Sequence, residues 1–292
     1  MKRWLLSFTA VLALASSQPI LAAQPEQGTV RTLVDASGAQ CNNPEGIEAS
    51  PGGLLYTAGL SGNVCVYTLA GDLVRIIPVA PGHALLGELY VSGRGIYIAD
   101  NNGDFSGGRV ILLDPSTGSV SVLATGFGAP NAITQSHDGT LFVSDSFAGA
   151  VYTVDPNGGG KTLWKADPLL QPHGNPPFGA NGVAFDPTES FLYVANTADD
   201  RILRVAVNKD GSAGAISIFA DGAVLNAANA TTHALDGADG IQFDVRGQLY
   251  VCANQANEIQ VLSPSGALVA RYRGTGGDAM DFPASPVFYQ KA

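Results

Sequence analysis

Four oxygen-bearing side chains recur at a nearly fixed offset in this sequence. Glu45, Asn131 and Asp239 each lie ten residues ahead of an aliphatic residue, Leu55, Leu141 and Leu249, that begins the second apolar segment of a repeat, and Asn181 lies eleven ahead of Leu192. Two carboxylates and two amides make an all-oxygen donor set, which suits a hard cation such as Ca2+ or Mg2+ and leaves coordination positions for water or a substrate. The neutral amides supply oxygen without cancelling the cation's charge, so its Lewis acidity is damped less than it would be by four carboxylates. Asn-Gly and Asp-Gly are also ordinary turn dipeptides, and any one of these residues taken alone reads as a turn. The shared offset marks the four as a candidate site.

The elements that position them are short strands. Asn181–Thr197 is the clearest copy of a unit in which a polar residue, a small residue and an aliphatic lead through a turn into an aromatic-bearing strand, Leu192-Tyr193-Val194-Ala195. Loose copies, each expanding to four strands, span residues 46–77, 89–123, 132–164, 181–219 and 240–271. Repeats of short strands at this period predict a β-propeller, in which the first strand of every blade lines a central channel and equivalent positions converge at one mouth. In the second repeat the equivalent of the polar residues is Leu86, so that blade offers no oxygen. Pro283–Phe288 resembles the first strand of a sixth blade, and Thr29–Val34 reads as a strand able to serve as its outermost one. The expected fold class is therefore all-β, a six-bladed propeller with an incomplete last blade closed by N- and C-terminal strands. The connections lengthen at 167–180 and 221–238, and loops of that length in a compact repeat fold tend to carry function. His173 and His233 fall in these two connections, just ahead of Asn181 and Asp239.

Glu45-Gly46, Asn131, Asn181-Gly182-Val183 and Asp239-Gly240-Ile241, in that order, resemble the gluconolactonase/regucalcin family of six-bladed propellers, senescence marker protein-type. The resemblance covers nearly the whole of the chain after residue 23. It implies Glu45, Asn181 and Asp239 as ligands of a divalent cation, Ca2+ first, with Mg2+ or Zn2+ as alternatives, and Asn131 as a fourth group contacting metal or substrate. It also implies lactone hydrolysis with Asp239 as the base, with Asn131, His173 and His233 as substrate-binding candidates. Ile47 stands where the family usually has proline. Gly128-Ala129-Pro130 stands where sugar-lactone members carry an arginine, which leaves gluconolactone itself unsupported.

Composition narrows the function classes. The formal net charge of −10 opposes nonspecific binding to nucleic acid or anionic membranes, and 14% charged residues with 36 glycines fit a turn-dense β fold. Residues 1–23, with Lys2 and Arg3 ahead of an apolar run and Leu21-Ala22-Ala23 behind it, read as a secretory signal. Residues 24–292 are then one domain, periplasmic or secreted, acting on a small molecule with no membrane contact after cleavage. Export permits a disulfide, for which Cys41–Cys65 is the expected pair, leaving Cys252 as a buried thiol. No Gly-x-Ser-x-Gly elbow or phosphate-binding Gly-x-x-x-x-Gly-Lys loop occurs. Three functions are in play: a metal-dependent hydrolase of lactones or related esters, a non-catalytic propeller that binds a ligand or protein, and a lyase or condensing enzyme, for which no catalytic glutamate can be assigned.

Overall fold

Alternating apolar residues separated by Gly- and Asp-bearing turns build twenty strands, here in a computed structural model that describes residues 29–36, 38 and 40–289. The expected signal segment, residues 1–23, lies outside the described residues. The strands form five four-stranded antiparallel sheets, each in sequence order. They are β1 (Pro44–Ala49), β2 (Leu54–Gly59), β3 (Asn63–Thr68) and β4 (Leu73–Pro78); β5 (Ala84–Val91), β6 (Gly95–Asn101), β7 (Gly108–Leu113) and β8 (Val120–Phe127). The third and fourth sheets hold β9 (Pro130–Gln135), β10 (Leu141–Asp145), β11 (Ala150–Val154) and β12 (Lys161–Ala166), then β13 (Ala180–Phe185), β14 (Phe191–Asn196), β15 (Arg201–Val207) and β16 (Ala213–Asp221). The fifth holds β17 (Ala238–Phe243), β18 (Leu249–Ala253), β19 (Glu258–Leu262) and β20 (Leu268–Tyr272).

Each sheet is a blade, and β1, β5, β9, β13 and β17 neighbour one another around a central channel. Every successive pair of blades shares an apolar cluster: Tyr56 and Ile98 in the first, Tyr97 and Ile133 in the second, Phe142 and Val183 in the third, Tyr193 and Ile241 in the fourth. Rings mark all four of these interfaces, with centroids 5.5 Å apart for Tyr56–Tyr90, 5.4 Å for Phe127–Tyr152 and 4.9 Å for both Phe142–Phe185 and Tyr193–Phe243. Such pairs add about 0.5–1.5 kcal/mol beyond the area they bury.

The blade count corrects the expectation of six. Ala284–Phe288 does occupy the place of a sixth inner strand: Gly240 N–H donates to the Ala284 carbonyl at 2.8 Å, and Phe288 meets Tyr250 edge-on at 4.9 Å. It forms no ladder, since Pro283 and Pro286 lack amide hydrogens and no second strand among the described residues pairs with it. Thr29–Val34 is not a strand either. Thr32 bonds instead to Asp278 and the Gly277 carbonyl at 2.7 and 3.0 Å. The uncovered face of the first blade, Leu55, Cys65 and Tyr67, is packed by Val34 and Cys41, and the expected Cys41–Cys65 disulfide pins that cover in place. Cys252 is a free buried thiol, as expected. The 221–238 connection contains a helix that the sequence reading passed over, α1 (Gly222–Asn229), capped by the Asp221 side chain.

The inner strands approach backbone to backbone, and glycine permits it. A methyl group at Gly182 would lie 2.2 Å from the Asp239 carbonyl oxygen, and one at Gly240 would lie 2.4 Å from that of Ala284. Glu88 breaks the apolar pattern. It holds the place of Ile133, Val183 and Ile241, is 94% buried, and neither carboxyl oxygen has a hydrogen-bond partner. Burial pushes its carboxyl well above the usual range, and the charge of Glu48 pushes it further. Burial also raises Glu48 to about 7.

Two outcomes follow. Gly240→Ala should cost about 1–3 kcal/mol in urea unfolding, while Gly277→Ala, in open space, should be neutral. Acids whose folded pKa is raised hold protons that the unfolded chain has released, so stability should fall as pH rises from about 4.5 through 7. Glu88→Leu should flatten that slope and stabilise the protein at pH 8 by about 1–3 kcal/mol, with little effect at pH 4.

Candidate functional site

The four oxygen-bearing residues share a structural cause that their spacing did not reveal: each sits at a β-bulge where its inner strand begins. Register slips between Pro44 and Gly46, between Ala180 and Val183, and between Ala238 and Ile241, and Asn131 lies in the corresponding slip opposite Val143–Asp145. In four blades two residues, Leu86-Gly87, Asn131-Ala132, Asn181-Gly182 or Asp239-Gly240, therefore oppose one small residue of the second strand, Ala99, Ser144, Ala195 or Cys252. A bulge re-aims a side chain that regular pleating would send into a sheet face. Here it delivers the polar residue to the mouth of the channel.

The structure brings three of the four into one electrostatic unit. Asp239 is 93% buried, and its carboxyl is pushed well above the usual range, first by burial and then by the charge of Glu45. Hydrogen bonds from Asn254 and Asn181 pull the other way, with Asn254 Nδ2 donating to Asp239 Oδ2 at 3.0 Å. Burial raises Glu45 to about 7. Asn181 is buried, and its Oδ1 accepts from nothing. Asn131 is half-buried and donates through Nδ2 to Ser146 Oγ at 3.3 Å.

A second ring of polar residues, missed in the sequence, holds these groups. Thr197 Oγ1 accepts from Asn181 Nδ2 at 2.8 Å and donates to the Ala238 carbonyl at 2.7 Å, directly ahead of Asp239. Ser146 Oγ accepts from Asn131 and donates to the Ala180 carbonyl at 2.8 Å, directly ahead of Asn181. Asn101 Nδ2 donates to the Pro130 carbonyl at 2.8 Å, directly ahead of Asn131. Each latch ends or follows a second strand and fixes the bulge of the next blade. Their signal in the sequence is a polar residue 15 or 16 positions after each mouth residue. The turn that delivers Asp239 is anchored separately: fully buried Gln260 bonds the Leu235 amide and the His233 carbonyl, and donates to Glu258, which Arg271 and Arg273 neutralise.

The histidines sit apart from this unit. His173 and His233 are exposed on the two connections, bonded through Nδ1 to Asp199 at 2.9 Å and Asp236 at 2.7 Å, and no hydrogen bond among the described residues joins either to the four mouth residues. The absence of a basic residue near Asn131 holds only in sequence, because the fold brings His83 and Arg109 alongside Gly126–Gly128.

The donor set fits a hard divalent cation on its own terms. Asn181 Oδ1 is a buried carbonyl-type oxygen with nothing to accept from, Asp239 is a buried acid and Glu45 a half-buried one raised by desolvation, and a proton or a cation would relieve the pair. Among the described residues no three His, Cys, Asp or Glu side chains gather as a metal-binding group, so amides are needed to complete any set here.

Comparison with known proteins places this geometry. Residues 164–288, which include Asn181 and Asp239, match the family model for the SMP-30/Gluconolactonase/LRE-like region. The match takes in less than half of the chain, and Glu45 and Asn131 lie outside it. The resemblance drawn from the mouth residues is borne out at the level of the family. No curated protein matches the chain in sequence. Among solved structures, it resembles a calcium-binding protein, regucalcin, from Agrobacterium tumefaciens, at 20% identity over 85% of this chain and 79% of that one, TM-score 0.65. It also resembles a gluconolactonase from Xanthomonas campestris, at 17% identity over 86% and 81%, TM-score 0.62. A third is virginiamycin B lyase from Staphylococcus aureus, at 15% identity over 86% and 89%, TM-score 0.57. At these identities the likeness to the solved structures is one of fold.

Thr197→Val should cost about 1–3 kcal/mol in urea unfolding, because it leaves Asn181 Nδ2 and the Ala238 carbonyl without their shared partner. Thr197→Ser, which keeps the hydroxyl, should retain most of that stability.

Proposed function

We propose that this SMP-30/gluconolactonase-type chain is an exported, divalent-cation-dependent hydrolase of a lactone or related ester. The observation that carries the reading is the electrostatic pairing of half-buried Glu45 with the buried Asp239 carboxyl, beside the orphaned oxygen of Asn181. Glu45, Asn181 and Asp239 would hold the cation, with Asn131 as the fourth oxygen. An all-oxygen set lacking thiolate and imidazole favours Ca2+ or Mg2+ over Zn2+. When bound, the cation would supply Lewis acidity to an ester carbonyl and to water.

The remaining steps belong to the chain. Asp239 accepts the proton of the attacking water. In the metal-free protein burial and Glu45 both oppose its ionisation and raise its basicity, and a bound cation would offset that rise. Asn254 holds Asp239 Oδ2 and fixes the carboxylate plane. Asn131, steadied by Ser146, would donate to the substrate, and the exposed His173 and His233 would meet it from the two connections.

A panel of lactones and aryl esters assayed with Ca2+ and with chelator tests this reading. Turnover should require the cation, and Asp239→Asn should lower it by roughly 10²–10⁴-fold. Chelator-resistant turnover that survives the substitution would overturn the mechanism. Absence of turnover with every ester, alongside tight binding of one of them, would favour the non-catalytic alternative.

A further inference from the structure

Outside the mouth, a cavity of about 460 Å³ lies over the second blade between β7 and β8, with His83, Asn102, Arg109, Gly126 and Gly128 in its wall. Its polar side is built. Asp100 is 99% buried, and its two oxygens are divided between His83 Nδ1 at 2.7 Å and Arg109 Nε at 2.6 Å. That arrangement fixes the Arg109 guanidinium and the His83 ring at the cavity wall and leaves the terminal nitrogens of Arg109 and Nε2 of His83 without a protein partner among the described residues. Lys161 lies beside the cavity and donates to the Gly126 carbonyl. The nearby acid, Asp145, is turned inward and taken up by the Gly128 and Ala129 amides.

Phe127 lines the cavity, and Gly128 in its wall lies against Phe147 just outside it, while Phe105 stands on the loop that carries Asn102 to the cavity. Phe105, Phe147 and Phe178 form one ring cluster with centroids 5.4–6.4 Å apart, and Phe147 is 42% exposed. The loop holds Phe105 at φ 55°, a conformation unfavourable for a bulky residue. Phe147 follows Ser146, the latch on Asn131, and Phe178 lies three residues ahead of Asn181.

We propose that this cavity binds a small organic carboxylate with an aromatic or branched aliphatic body, the carboxylate on Arg109 and His83 and the body against Phe147. A guanidinium fork with two free nitrogens matches a planar carboxylate, and the volume is that of a small-molecule site. The inference does not rest on the hydrolase reading.

Calorimetric titration of the whole chain with phenylacetate, acetate, 2-phenylethanol and inorganic phosphate tests it. Phenylacetate should bind at least about tenfold more tightly than each of the other three. Arg109→Gln should remove that advantage over 2-phenylethanol. Phe147→Ala, a surface change that leaves Asp100 paired, should remove the advantage over acetate, and Asp239→Asn should leave phenylacetate binding unchanged. Equal binding of 2-phenylethanol, tighter binding of phosphate, or indifference to both Arg109→Gln and Phe147→Ala would overturn the assignment. If Arg109→Gln unfolds the protein, Phe147→Ala decides it. Loss of lactone turnover in Asp239→Asn with phenylacetate binding intact separates this site from the mouth.

Discussion

The β-bulge at the start of each inner strand is the constraint on which the rest depends. A regular ladder would alternate side chains between the two faces of a blade, and both faces here are packed against neighbours. The extra residue breaks that alternation at one point per blade and frees a side chain for the axis. The same bulge brings inner strands so close that Gly182 and Gly240 admit no side chain. Proximity and projection have one cause, and together they set two acids and two amides around a narrow opening. The fold then holds carboxyls where water cannot solvate their charge.

The latches make this tolerable. Asn101, Ser146 and Thr197 each reach from the end of one second strand to the carbonyl just ahead of the next blade's mouth residue. The position of Asp239 is thus set by the fourth blade as well as its own. The ring is closed differently, by Ala284–Phe288 on one side and the disulfide-pinned N-terminal segment on the other. Because the mouth draws on both sides of that closure, with Glu45 in the first blade and Asp239 in the fifth, its electrostatics depend on a seam without a ladder.

Much of this was legible in the sequence. Period-two alternation and Asp-Gly turns located all five blades, and the offset between mouth residue and second strand singled out Glu45, Asn131, Asn181 and Asp239. The X-Gly dipeptides were visible too, but as turn signals, because a bulge and a turn ask the same permissiveness of the backbone. The sixth blade was over-read: Pro283–Phe288 carries an inner-strand pattern, yet its prolines deny it a ladder, and Thr29–Val34 has strand composition without a strand partner. Asn101, Ser146 and Thr197 were passed over because each acts on the following blade, and contact across blades leaves no local pattern. Arg109 and His83 were likewise invisible as a pair, since Asp100 brings them together only after the second blade forms.

The central claim is that the mouth completes itself with a cation. Diffraction from crystals grown in calcium, with anomalous differences collected, reads it out directly. The account predicts one strong peak bounded by Glu45, Asn181 and Asp239, with Asn181 Oδ1 among its ligands. A mouth filled by water alone at saturating calcium, or a calcium peak elsewhere in the molecule with none at the mouth, would contradict it.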